Sequence, residues 1–151
     1  RKEMNDPKSW KPPFLFPVRV RFADTDLQGH VFFANYFTYC DEGLMAYLDH
    51  IGYSWQKMGT MGLELYYVES SCQFKGSALF GDLLKVETRI LEIGTSSMTS
   101  GMTIFKTNRE QIVAMGRITA VMVSTETGKP TPIPAELREA ISIHSDMQSS
   151  E

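Results

Sequence analysis

The stretch FADTDLQGHVFFANYFTYCDEGL, residues 22–44, sets the closely spaced aspartates of DTD, a Gly-His pair and a dense aromatic run within one short span. Asp24 and Asp26 are carboxylates of the kind that attack an electrophilic carbonyl or activate a water, and His30 adds a side chain that can exchange protons near neutral pH. Free aspartate, with a pKa of about 3.9, is a weak base at neutral pH, so base catalysis here calls for partial burial, whereas direct attack does not. Loop aspartates also commonly accept hydrogen bonds from nearby backbone amides, and Asp24 is read first as such a turn or cap residue.

These residues need elements to hold them. Val18, Val20 and Phe22 alternate with Arg19 and Arg21, the period of a strand with one apolar face, and the pattern stops at the turn-rich ADTDLQG. From Phe33 the period changes. Phe33, Tyr36, Phe37, Cys40, Leu44, Tyr47, Leu48 and Ile51 recur at steps of three and four, which predicts a helix of about five turns ended by Gly52. Glu42 and Asp49 fall opposite this stripe and are read as solvated, while Asp41 lies at its margin. Phe32 falls off the stripe, which makes it the aromatic least suited to a core role.

After a short connection around SWQKMG the chain reads as strand over about 63–75, 82–93, 97–107 and 111–125, with turn residues at each break. Breaks this short favour antiparallel hairpins, because a parallel crossover needs a dozen or more residues. The last strand is apolar on both faces, with Ile112, Ala114, Ile118 and Met122 on one side and Val113, Met115, Val121 and Val123 on the other. A single helix covers one face of a sheet, so the second face points to subunit contacts or a ligand channel. PAELREAISI, residues 134–143, reads as a terminal helix.

The 151 residues fit one domain, expected over 14–144, with a proline-rich extended arm at 1–13 and a polar tail at 145–151. A net charge of −3 argues against a nucleic-acid partner. No apolar run approaches the roughly 20 residues of a membrane span, and a cytoplasmic location is expected. Cys40 and Cys72 are expected to be free thiols, and neither a metal nor a cofactor is expected.

With the element order β, long helix, then four strands, RVRFADTDLQGHVFFANYF resembles the first strand, active-site loop and helix start of the hotdog-fold acyl-CoA thioesterases, specifically the 4-hydroxybenzoyl-CoA thioesterase-like branch. CQFKGSALFGDLLKVETRILEIGTSSM is similar to that family's second and third strands with the Gly-Asp turn between them. The resemblance implies an α+β fold in which a five-stranded antiparallel sheet wraps around one long central helix, and a homodimer or homotetramer with sites at the subunit interface. It implies hydrolysis of an acyl-CoA, aryl-CoA or acyl-carrier-protein thioester. Asp26 matches the family's catalytic carboxylate, as nucleophile or as the base that orients water, and Phe33 matches the position whose backbone N–H binds the thioester carbonyl. His30 is a third catalytic candidate, and Gly29, Val31, Phe32 and Tyr36 are candidate substrate-binding residues.

This sequence departs from the pattern twice. Some members carry histidine where Phe33 stands, and the turn that can be basic in the branch reads Gly94, Thr95, Ser96, Ser97 here. Lys75, Lys106 and Arg109 are the nearest basic alternatives for coenzyme phosphates, each also readable as solvated surface charge. Two other functions share the fold: a hydratase or dehydratase using a His and acid pair, which Asp26 and His30 could supply, and a non-catalytic acyl-binding protein.

Overall fold

The computed structural model describes residues 13–107 and 111–144. The expected polar tail lies outside the described residues, as does the expected arm except for Pro13. Five strands, β1 (Phe14–Arg19), β2 (Leu63–Phe74), β3 (Leu83–Ile93), β4 (Ser97–Phe105) and β5 (Ile112–Ser124), form one antiparallel sheet in the order β1-β3-β4-β5-β2. A long helix α1 (Asn35–His50) crosses one face, followed by the short α2 (Trp55–Thr60), and α3 (Ala135–His144) closes the chain. Among the described residues no helix is long and apolar enough to cross a membrane.

The period-2 pattern does what the sequence predicts. In β4, Met98, Ser100, Met102 and Ile104 are buried, and in β5, Ala114, Ile118 and Met122 turn to the same core. Helix α1 answers with Tyr36, Tyr39, Cys40, Leu44, Tyr47 and Leu48. The two layers touch closely where side chains are missing. A Cβ on Gly43 would stand 2.5 Å from Val86 Cγ1, and one on Gly116 would stand 2.6 Å from Cys40 Sγ. The helix ends as expected, with Gly52 at φ +93° and the Tyr53 N–H returning to the Leu48 carbonyl.

Three local expectations need correction. The first strand runs over Phe14–Arg19 rather than 18–22, and it includes Pro17, which an edge strand tolerates because one row of its N–H positions faces no neighbour. Phe22, read as an inward strand residue, begins a 3₁₀ turn over Phe22–Asp24 and is 78% exposed. Its ring instead meets that of Phe80 at 6.1 Å. The helix starts at Asn35, so Phe33 precedes it and is 58% exposed instead of joining the core stripe.

Candidate active site

Beyond β1 the chain stays tied to the sheet through Val20, whose N–H donates to the Asp82 carbonyl and whose carbonyl accepts from Gly81. The 3₁₀ turn then redirects it into the loop that holds the candidate catalytic residues. That loop is a tight hairpin. Thr25 bridges Val31, the Asp26 N–H donates to the His30 carbonyl at 2.9 Å, and the Gly29 N–H donates back to the Asp26 carbonyl at 3.0 Å. Gly29 sits at φ +80°, a conformation side chains disfavour, which is why the turn needs glycine there. The hairpin docks through the Val31 N–H on the Ala78 carbonyl and through a His30–Leu79 bridge.

At its tip the Asp26 carboxylate accepts one hydrogen bond, from the Gln28 N–H to Oδ1 at 2.8 Å. Oδ2 takes none from the described residues and is left to face solvent or substrate. The His30 imidazole likewise has no hydrogen-bond partner among the described residues, so its contribution to the hairpin is made by its backbone. Asp26 therefore also plays the turn role that rivals catalysis, while keeping one oxygen uncommitted.

Asp24 is built into the interior. Its carboxylate accepts from the Arg21 N–H at 3.0 Å, from the Arg21 guanidinium at 2.9 Å and from the Tyr39 hydroxyl at 2.8 Å. Burial alone would raise its pKa, but the Arg21 and Tyr39 hydrogen bonds and the Arg21 charge outweigh that and hold it below its usual value. The Asp24 carbonyl also accepts the Phe32 N–H at 2.8 Å and the Asn35 side-chain amide at 2.9 Å. One residue thus closes the neck of the hairpin and receives the start of α1.

Past the neck, the Phe32 carbonyl accepts from the Asn35 N–H at 2.8 Å and the Phe33 carbonyl from the Tyr36 N–H at 3.2 Å. The Phe33 N–H has no acceptor among the described residues, as expected for the first amides ahead of a helix, where the dipole favours negative charge. Phe33 meets Phe32 at 4.9 Å and Phe74 at 6.0 Å between ring centroids. These partly exposed rings form an aromatic wall beside the amide.

The structure brings Asp26, Gly29, His30, Phe32 and Phe33 together on the hairpin and its exit. Val31 and Tyr36 sit deeper, at 5% and 3% exposure, with the Tyr36 hydroxyl accepting the Ala78 N–H. Of the basic alternatives, Lys75 is exposed, Lys106 pairs with Asp82 at 3.5 Å and Arg109 lies outside the described residues. Sequence reasoning missed Asn35, Tyr39 and Phe74. Tyr39 could have been found by widening the helical stripe, but Asn35 and Phe74 act through partners distant in the chain.

A separate cavity of about 710 Å³ opens between α1, α2 and β2, lined by Asp41, Met45, Trp55, Leu65 and Tyr67 among others. The Tyr67 hydroxyl donates to the Asp41 carboxylate across it, which resolves the ambiguous position of Asp41: it faces the cavity. Burial and this hydrogen bond both push the Tyr67 hydroxyl well above its ordinary pKa, so it remains a donor.

Residues 20–141 match the family described as the thioesterase-like superfamily. A crystal structure of a protein from Aquifex aeolicus superposes with a TM-score of 0.79 at 32% identity, covering 85% of this chain and 99% of that one. A 1,4-dihydroxy-2-naphthoyl-CoA thioesterase from Synechocystis superposes with a TM-score of 0.79 at 26% identity, covering 87% of this chain and 96% of the other. The acyl-CoA thioesterase YbgC of Haemophilus influenzae is 27% identical over 132 residues, 84% of this chain and 93% of that protein.

Proposed function

This chain belongs to the thioesterase-like superfamily, with its hotdog fold and thioester-hydrolase activity, and from that premise we propose that Asp26 and the Phe33 amide carry the hydrolysis. The observation that carries the reading is that, among the described residues, Asp26 Oδ2 takes no hydrogen bond and the Phe33 N–H at the exit of the same hairpin has no acceptor. Asp26 attacks the thioester carbonyl or activates a water. The carbonyl oxygen gains negative charge in the tetrahedral intermediate and is held by the Phe33 N–H, and collapse expels the CoA thiolate. Direct attack leaves the acyl group on Asp26 as an anhydride, which water then hydrolyses to the free acid.

The hydratase alternative requires a coupled imidazole and carboxylate, and here neither side chain hydrogen-bonds the other. For the acyl group we favour a hydroxylated aryl unit. The Phe32, Phe33 and Phe74 wall supplies flat apolar surface beside the Phe33 amide, and the Synechocystis relative is named for a hydroxylated aryl substrate. CoA thioesters fit the cytoplasmic location expected from the sequence. The working unit is proposed to be a dimer or a pair of dimers.

Thiol release measured over linear, aryl and hydroxyaryl CoA thioesters, and one acyl-carrier-protein thioester, tests the assignment beside Asp26→Asn. A loss of kcat of roughly 10²- to 10⁴-fold is expected in the variant, with aryl substrates preferred by the parent. Full activity in a folded Asp26→Asn protein would falsify the role of Asp26, and a preference for linear chains would remove the aryl reading.

A further inference from the structure

An amide that binds an oxyanion has to be aimed before the substrate arrives, and the local bonds show what aims this one. In a planar trans peptide the C=O and N–H point in opposite directions. The Phe32 carbonyl and the Phe33 N–H share one peptide unit. Holding that carbonyl inward, on the Asn35 N–H at 2.8 Å, turns the Phe33 N–H outward.

Asn35 makes a second bond that fixes this arrangement. Its side-chain Nδ2 donates to the Asp24 carbonyl at 2.9 Å, the same oxygen that takes the Phe32 N–H at 2.8 Å. The peptide units on both sides of Phe32 are therefore pinned, one by Asp24 and the other by Asn35, and Asn35 ties the two anchors together. Asp24 is itself immobilised by Arg21 and Tyr39. Asn35 is only half-buried, and helix formation alone asks for no amide side chain at this position.

We propose that Asn35 is a positioning residue for thioester hydrolysis, setting the direction of the Phe33 N–H by holding the Asp24 and Phe32 carbonyls at once. The inference rests on the assignment of the Phe33 amide as oxyanion donor. Loss of the Nδ2 bond leaves the Asn35 N–H on the Phe32 carbonyl but unties that anchor from Asp24, which loosens the aim of the Phe33 N–H and weakens transition-state binding while leaving the aromatic wall that binds the ground state.

The test uses Asn35→Ala and the near-isosteric Asn35→Asp, both checked for folding by thermal denaturation and for assembly by light scattering. In each, kcat with benzoyl-CoA is expected to fall roughly 10- to 100-fold with KM within about twofold. The second readout is the infrared carbonyl band of [carbonyl-13C]benzoyl-CoA bound to Asp26→Asn. The band is expected to lie below that of the free thioester, and to return toward it when either Asn35 substitution is added. A band that stays low in the Asn35 variants, or a kcat that stays at the parent value, overturns the positioning role alone. A band that is unshifted even with Asn35 intact overturns the Phe33 assignment, and the positioning role with it.

Discussion

Asp24 and Asp26 are separated by a single threonine, yet the fold gives them opposite tasks. Asp24 has its carboxylate saturated by Arg21 and Tyr39, whereas Asp26 keeps one oxygen without a hydrogen bond from the described residues. The folded Asp24 carboxyl lies below its ordinary value, so its stabilisation is in full effect above about pH 4 and is lost as pH falls through the depressed folded pKa. Asp24→Asn is expected to lose about 1–3 kcal/mol at pH 7. Urea unfolding should show the gap to the parent narrowing below about pH 4, and a gap that is unchanged at pH 3 would count against the ionised carboxylate as its source. The turn reading of Asp24 was legible in the sequence because turn chemistry is local. The Tyr39 and Asn35 bonds were not, since they join residues that only the tertiary fold brings together.

At the scale of elements, periodicity carried most of the architecture: α1, the four later strands and α3 fall within a few residues of where the apolar spacing put them. It failed at the first strand and at the helix start, where hydrogen bonding rather than hydrophobic spacing sets the boundary. Alternation ran on to Phe22, but the bonds from Asp24 N–H to the Arg21 carbonyl and from Thr25 N–H to the Phe22 carbonyl close a 3₁₀ turn there. The contact between α1 and β3 is another feature that spacing could not disclose. Val86 Cγ1 occupies the room a Cβ on Gly43 would need, and a β-branched side chain inside a strand has little freedom to yield. Gly43→Ala should therefore cost about 1–3 kcal/mol in urea unfolding, despite alanine's better helix propensity. A stabilised variant would show that α1 can lift off the sheet at no cost.

For the molecule as a whole, the sheet has two unlike edges. β1 is short and interrupted by Pro17, which protects it from pairing, whereas β2 is long and carries Tyr66, Tyr67 and Val68 at 52%, 41% and 60% exposure. The last strand, apolar on both faces, led to the expectation of subunit contacts or a ligand channel, and the exposed apolar side chains of β2 make that edge the one to test for subunit contact. If copies pair through β2, light scattering will find a dimer, and Val68→Lys will yield monomers with greatly reduced hydrolysis. A dimer that survives this substitution would place the contact elsewhere. The hydrogen bond from Phe32 to Asp24, which closes the hairpin at its neck, has a consequence for redesign. Because the ends of this hairpin meet at one anchored residue and His30 and Val31 dock on Leu79 and Ala78, the exchangeable cassette is the tip, Asp26 to Gly29. A transplanted loop of another length, bearing another nucleophile, would be presented to the same fixed amide without rebuilding the sheet or the helix, so the chemistry of the tip can diversify while its scaffold stands still.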